Sequence, residues 1–221
     1  MTKTLFLRLE GVLQAWGERA RWSVRDTTTE PTKSGVVGLL ACALGEKEDE
    51  ALRALSRAIR MGVRCDREGR LVRDYHTVSG GVMAAEGKIK INANTKLPET
   101  VVSERYYLCD ASFLAALQGE ESLIERLGEA IQNPKWPIYL GRKSCPPSRP
   151  PFEGMGDFTT LREALMSRRE GLEGKRRAVW DCGPMEGVRR REEIDSRSRR
   201  TYLPRYVREE ELRFETDGEV E

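Results

Sequence analysis

The chain has 221 residues, enough for a large domain, and one third of them are charged, which is typical of a globular protein with a well-solvated surface. Its 38 basic residues nearly balance 36 acidic ones, so the net charge is only +2. No apolar run reaches the roughly 18 residues of a membrane helix, and charges interrupt the N-terminal segment where a signal peptide needs an apolar core. We therefore predict a cytoplasmic protein that makes no membrane contact.

The cysteines and the single histidine argue against metal chemistry. The five cysteines are widely spaced, so no C-x-x-C pair exists to form a zinc or redox site. With one histidine, a zinc hydrolase site would need carboxylates or scattered thiols for nearly all its ligands. We predict reduced, mostly buried thiols, no metal and no other cofactor.

The first element is a half-buried strand at residues 4–10, in which three leucines alternate with Phe6, Arg8 and Glu10. An irregular segment follows, and its arginines alternate with an aromatic residue in a way that suits phosphate contact and stacking on bases. The residues concerned are Arg19, Arg21, Trp22 and Arg25. The neighbouring Trp16 lies between two small residues, and we predict that it packs this loop onto the sheet.

Two helices come next. Thr32 or Ser34 is placed to cap a helix that runs to Gly45, and Lys33 and Ser34 lie at its start, where free N–H groups favour a backbone phosphate. A second helix is predicted at residues 49–60. After it, residues 61–66 and 69–78 are predicted to form a hairpin.

Residues 79–102 contain too few apolar side chains to bury a core. Their best pattern alternates Lys88 and Lys90 with isoleucines, which predicts a short ribbon with a basic edge. A long loop inside a compact domain usually has a function. We interpret the segment as a protruding basic hairpin that becomes ordered on a partner; the alternative is a solvated insertion without a role.

Strands are predicted again at residues 106–117, and an amphipathic helix at 121–131. Residues 138–140 are predicted to form a strand that opens into the turn Gly141-Arg142-Lys143-Ser144, which the prolines just after it make rigid. The segment 168–208 has 13 basic and 7 acidic residues. This block indicates either a nucleic-acid surface or the Arg-rich exterior of a heat-adapted protein.

The order of these elements, strand-helix-strand twice, predicts an α+β fold with a ferredoxin-like (RRM-like) module. We expect one domain at residues 1–150, which includes a thumb hairpin at 79–103. A smaller, β-rich and Arg-rich part with an acidic tail is expected at 151–221, with strands near 177–182 and 201–207.

Six blocks of the sequence resemble one known family. The blocks are LRLEGVLQAWG at 7–17, PTKSGVVGLLACALG at 31–45, LVRDYHTVSGG at 71–81, ERYYLCDASFLAAL at 104–117, PIYLGRKSCPPSRP at 137–150 and, less closely, TYLPRYVREE at 201–210. In this order they are similar to the CasD subunits of type I-E CRISPR surveillance complexes (Cascade), which are members of the RAMP superfamily.

This resemblance implies a non-catalytic RNA-binding subunit that holds the 5′ handle of the CRISPR RNA (crRNA). It also implies contacts with the backbone and large subunits, an indirect link to target DNA, and a role in antiviral defence. The candidate RNA contacts are Arg19, Arg21, Trp22, Arg25, Lys33, Ser34, His76, Lys88, Lys90, Arg105, Tyr139, Gly141, Arg142, Lys143 and Ser144.

Two other functions are compatible with the residues. A metal-independent endoribonuclease that processes CRISPR repeat RNA could use Tyr75, His76 and one lysine of the basic hairpin as acid, base and charge-stabilising groups. However, Tyr75 and His76 are neighbours in a strand and point to opposite faces, which favours a structural or RNA-contact role for His76. A pure protein scaffold would explain the hairpin but would give the clustered arginines no role.

Overall fold

The computed structural model describes residues 1–18, 23–81, 83, 86–169, 171–196 and 201–215. Helices and strands are mixed along the chain. In order they are β1 (Thr2–Glu10), β2 (Leu13–Gln14), β3 (Val24–Arg25), α1 (Lys33–Leu44), α2 (Asp49–Ala58), β4 (Arg60–Arg67), β5 (Arg70–Val78), β6 (Val101–Cys109), β7 (Ser112–Gln118), α3 (Glu121–Gln132), β8 (Phe152–Phe158), α4 (Leu161–Ser167), β9 (Gly174–Asp181), β10 (Val188–Ser196) and β11 (Thr201–Phe214).

The main sheet has seven strands in the order β10-β11-β9-β4-β7-β1-β8, and each neighbouring pair is antiparallel. The strands after residue 150 therefore extend both edges of the sheet that contains β1, β4 and β7. The C-terminal third is β-rich, but the predicted boundary at residue 150 does not separate two sheets. Whether the two ranges fold as separate units stays a prediction.

Because the residues of β1 alternate as predicted, they pack in two different hydrophobic cores, one on each face of the sheet. Leu5, Leu7 and Leu9 pack in one cluster with buried residues of α1, α2 and α3. Phe6 belongs to a second cluster on the opposite face, where α4 packs over the sheet and side chains of β9 and β11 join the cluster. The sheet is thus covered by helices on both faces.

The helix signals in the sequence are confirmed. The Thr32 side chain accepts a hydrogen bond from the Gly35 N–H at the start of α1. Gly45 ends α1 with a φ of +74°, a left-handed conformation that favours glycine. The predicted helix at 121–131 is α3, and the predicted second helix ends two residues early, at Ala58. No helix within the described residues is long and apolar enough to cross a membrane.

A smaller sheet is built around β6, which pairs with β5 along its whole length and with β2 and β3 on its other edge. The predicted hairpin of residues 61–66 with 69–78 is wrong, because β4 pairs with β7 and β9 in the main sheet. The β4–β7 pair instead continues into the β5–β6 pair across a bend. Gly69 (φ +75°) and Asp110 (φ +57°) mark this bend, and a Cβ on Gly69 would lie 2.5 Å from the Cys109 carbonyl oxygen.

The β5–β6 ribbon ends in the segment 79–100. Two isolated bridges, Met83 to Ile89 and Ile91 to Pro98, give its described residues some order. Nearly all the described side chains of this segment are exposed, including Lys88 and Lys90. The expectation that the segment buries no core of its own therefore agrees with the structure.

Candidate nucleic-acid interface

Several predicted contacts lie on one face of the smaller sheet. In the strand register, Arg25 of β3 is next to Arg105 of β6, and Asp74 of β5 lies on the other side of Arg105. His76 pairs with Ser103, two residues before Arg105. Because residues opposite one another in a sheet share a face, Arg25, Arg105 and His76 point to the same side.

The Gly-Arg-Lys-Ser turn packs on the same face. The Arg142 guanidinium lies 4.7 Å from the centre of the Tyr107 ring, and Tyr107 is two residues beyond Arg105 on β6. The hydroxyl groups of Tyr107 and Ser144 are 3.4 Å apart. The neighbouring Lys143 is exposed. The turn that carries the exposed Lys143 therefore lies against the face that carries Arg25 and Arg105.

The guanidinium of Arg142 is bound to the protein backbone. Nη1 donates to the carbonyl of Tyr106 at 3.0 Å, and Nη2 donates to the carbonyls of Arg25 at 2.8 Å and Asp26 at 3.0 Å. These contacts join the turn and β6 to the chain at residues 25–26, where β3 ends. Arg142, predicted to contact phosphate, thus makes contacts that hold three chain segments together.

The turn itself depends on Gly141. Its φ is +93°, and a Cβ there would lie 1.8 Å from the Ala15 carbonyl oxygen. The Ala15 N–H in turn donates to the Leu140 carbonyl at 3.0 Å. Residues 137–150 are all described and contain no strand, so the strand predicted at 138–140 is wrong. Tyr139 is half-exposed at the start of this turn.

The polar contacts between side chains on the shared face are long. The Nδ1 atom of His76 lies 3.7 Å from Asp74 Oδ2, and Arg105 Nε donates to Ser103 Oγ at 3.4 Å. Tyr75 lies in the same strand as His76, at the next position, and is 66% exposed. Since neighbouring residues of a strand point to opposite faces, Tyr75 and His76 do not converge on one site.

Other predicted contacts lie elsewhere. Lys33 is only 6% exposed, and its Nζ lies 3.3 Å from Asp181 Oδ2. This burial argues against an RNA contact, because the ammonium is already paired inside the protein. The Ser34 hydroxyl donates to Thr32 Oγ1 at 3.4 Å, at the start of α1. Lys88 and Lys90 lie at the tip of the ribbon, where Lys90 Nζ is 3.9 Å from Glu99.

The loop before β3 is only partly described. Trp16 is 1% exposed, and its indole N–H donates to Gln14 Oε1 at 3.0 Å, so the prediction that it packs the loop onto the sheet is confirmed. The predicted contacts Arg19, Arg21 and Trp22 lie outside the described residues.

Sequence reasoning missed a buried carboxylate beside this loop. Glu30 is 4% exposed and pairs with Arg177 of β9 and Arg190 of β10. Burial raises the pKa of Glu30, but hydrogen bonds from Thr29 and Arg190 outweigh it and hold the pKa below its usual value. Arginines of the predicted basic block thus bind internal carboxylates, and no local pattern marks Glu30 as their partner.

The comparisons with known proteins identify the family. Residues 4–214 match the sequence model of the family described as "CRISPR-associated protein (Cas_Cas5)". The chain therefore belongs to the Cas5 family of CRISPR-associated proteins. One relative, the "CRISPR system Cascade subunit CasD" of Escherichia coli K12, is 38% identical over 180 residues, which cover 76% of this chain and 77% of the relative. The resemblance drawn from the six sequence blocks is confirmed.

Two solved structures are similar over nearly the whole chain. One, described as "Crystal structure of Cas protein", has 39% sequence identity and a TM-score of 0.70, with 95% of each chain covered. The other is a chain of a "CRISPR RNA-guided surveillance complex", with 24% identity, a TM-score of 0.76 and coverage of 95% of this chain and 90% of that one. At this lower identity, the second likeness shows a shared fold.

Proposed function

We propose that this protein is a non-catalytic, RNA-binding subunit of a type I-E CRISPR surveillance complex (Cascade). It holds the 5′ handle of crRNA and joins the backbone and large subunits. The observation that carries the proposal is the 38% identity to a Cascade subunit over about three quarters of both chains. The basic face formed by Arg25, Arg105 and Lys143 supports the RNA-binding part.

The fold proposed for this function is a ferredoxin-like module with a thumb. The elements β1, α1, β4, β7, α3 and β8 follow the required order along the chain, and their antiparallel order β4-β7-β1-β8 in the sheet supports the assignment. The thumb is the segment 79–103 at the end of the β5–β6 ribbon. Its exposed Ile89 and Ile91, beside Lys88 and Lys90, suit insertion between a protein neighbour and RNA.

The proposed interface works by charge and by stacking. Arg25, Arg105 and Lys143 neutralise handle phosphates and fix the position of the RNA on the sheet. Half-exposed Tyr139 and His76 offer ring faces to unstacked handle bases. Binding should weaken steeply with salt, because each phosphate contact on a single strand releases about 0.7 counterions.

Filter binding tests the proposal. Wild-type protein, free and assembled with the other Cascade subunits, is titrated with handle RNA and with a scrambled strand of equal length, across a salt series. We expect preference for the handle and a steep salt dependence; Lys143→Ala should weaken the binding of both strands and make the salt dependence shallower. Lys47→Ala, an exposed lysine between α1 and α2, is the matched control and should leave binding unchanged. Equal, salt-independent binding of both strands would contradict the proposal.

The nuclease alternative is tested with full repeat RNA in EDTA. We expect intact RNA, because Tyr75 and His76 lie on opposite faces of the ribbon and cannot act on one phosphate. A discrete product at the handle boundary that disappears in His76→Ala would overturn the non-catalytic assignment.

A further inference from the structure

We infer that Arg142 is a positioning residue of the RNA interface, which fixes the segment 24–28, β3 and the three residues after it, in its binding conformation and does not itself contact phosphate. This inference rests on the proposed function, since it concerns how the RNA-binding face is held in place. It corrects the expectation that the two cations of the Gly-Arg-Lys-Ser turn have the same role.

The contacts of Arg142 are the first argument. A guanidinium has five donors in a rigid fork and no acceptor. Here Nη1 and Nη2 donate to carbonyls of Tyr106, Arg25 and Asp26, and the central carbon of the group lies 4.7 Å from the centre of the Tyr107 ring. Both terminal nitrogens are directed at backbone carbonyls, and the cation is held against an aromatic ring of the protein. These are the groups through which an arginine binds phosphate.

The segment that Arg142 holds is the second argument. The strand β3 has two residues, and its parallel pairing with β6 covers only those two, so the ladder alone gives this segment little stability. One further backbone bond, from the Glu104 N–H to the Ser23 carbonyl at 2.7 Å, lies at its start. The guanidinium of Arg142 adds two bonds at the end of β3, where the ladder stops.

The far end of the segment is held independently. Thr28 donates its N–H to the Trp16 carbonyl at 2.9 Å, and the Trp16 N–H donates to Thr27 Oγ1 at 2.9 Å. The buried Glu30 then fixes the chain to β9 and β10 through Arg177 and Arg190. The end near Thr28 is therefore tied to the core, and Arg142 ties the end near Arg25.

The functional consequence is preorganisation. The predicted contact Arg25 belongs to the segment whose carbonyls Arg142 holds, and Arg19, Arg21 and Trp22 directly precede that segment in sequence. Fixing a binding segment before the ligand arrives lowers the entropy lost on binding. Loss of Arg142 should therefore weaken RNA binding without removing a phosphate contact.

Salt dependence separates the two roles. Each lost phosphate contact makes the slope of log affinity against log salt shallower by about 0.7. We expect Lys143→Ala to show this change. At any fixed salt concentration, Arg142→Ala should lower the affinity for handle RNA at least tenfold. The slope of log affinity against log salt should stay unchanged. Arg142→Lys should resemble Arg142→Ala, because an ammonium lacks the planar fork that reaches three carbonyls from a position beside the Tyr107 ring.

Amide hydrogen exchange of the free protein gives the second readout. Residues 24–26 should exchange faster in Arg142→Ala and Arg142→Lys than in wild type, and at the wild-type rate in Lys143→Ala. Residues of β1 serve as the reference for global stability. If Arg142→Ala does not fold, Arg142→Lys carries both measurements.

A shallower slope in Arg142→Ala with unchanged exchange would overturn the inference and assign Arg142 as a phosphate contact. Full affinity and slope in Arg142→Lys would also overturn it. If wild-type protein shows no handle binding, the proposed function fails, and the exchange rates still report separately whether Arg142 fixes the segment.

Discussion

The buried carboxylate of Asp181 should be one of the most sensitive positions for stability. It accepts hydrogen bonds from the Met61 N–H at 2.8 Å and from Arg205, and Lys33 Nζ lies at 3.3 Å. Arg205 and Lys33 are only 5% and 6% exposed. Replacing Asp181 by Asn removes the charge that balances two buried cations. The amide oxygen can still accept the Met61 N–H, but the amide NH2 then faces the Arg205 donor, so the change removes the charge and one acceptor together.

The expected loss follows from this geometry. Removing one partner of a buried ion pair destabilises a protein by about 3 to 5 kcal/mol, because the buried charge that remains loses its counterion. With a urea slope of about 3 kcal/mol/M for a chain of this size, the midpoint of unfolding should fall by about 1 M or more. Asp157→Asn is the control, since its carboxylate is 53% exposed and lies 3.8 Å from Lys3; that change should alter stability by less than about 1 kcal/mol.

The pH dependence gives an independent check. Burial would raise the pKa of Asp181, but the charges of Arg205 and Lys33 outweigh it and lower the pKa. A lowered carboxyl pKa stabilises the folded state above the unfolded value of about 4, and this contribution is lost as the pH falls through the folded pKa. The difference in free energy of unfolding between wild type and Asp181→Asn should be constant near neutral pH and shrink below about pH 4. If Asp181→Asn lowered the free energy of unfolding by no more than Asp157→Asn does, the reasoning would be refuted.

Three further outcomes are expected. Gly141→Ala should lower the free energy of unfolding, measured by urea titration, by about 3 kcal/mol, because both the positive φ and the contact with Ala15 disfavour a Cβ. Gly80 also has a positive φ but lies in open space, so Gly80→Ala should lower the free energy of unfolding by only about 1 kcal/mol. Replacing residues 81–100 by a short Gly-Ser linker should leave the melting temperature nearly unchanged and weaken co-purification with the backbone subunits; a large fall in melting temperature would contradict this. Cys65, whose pKa burial raises to about 12, should resist iodoacetamide at pH 8 until urea unfolds the chain, and rapid native labelling would show that it is accessible.

Local signals in the sequence predicted the helices well. The Thr32 cap and Gly45 bound α1, and the apolar spacing of residues 121–131 gave α3, because these signals act within a few residues. Strand pairing was predicted less well. Residues 61–66 and 69–78 are adjacent strands, yet they enter different sheets, since pairing depends on distant segments that local alternation does not identify. Residues 138–140 look like a strand but are fixed by Ala15 from another loop.

The candidate site shows the same limit. The rigid turn and its cations were visible in the sequence, but the carbonyls that Arg142 binds include those of Arg25 and Asp26, more than 100 residues earlier. Lys33 was predicted to contact RNA at a helix start, but its partner Asp181 lies 148 residues later. Buried ion pairs of this kind join distant parts of the chain, so a single sequence gives no sign of which cations remain available to a ligand.

The ribbon that carries the basic tip is mechanically attached to the middle of the protein. Its two strands continue into β4 and β7, which are interior strands of the seven-stranded sheet and pair with a neighbour on each side. A pull on the tip is therefore transmitted through the bend at Gly69 and Asp110 into strands that have a partner on each side, so hydrogen bonds to two neighbours must break before either strand moves. An edge strand would have bonds to one neighbour only. The ribbon is thus anchored more firmly than an extension of an edge strand would be.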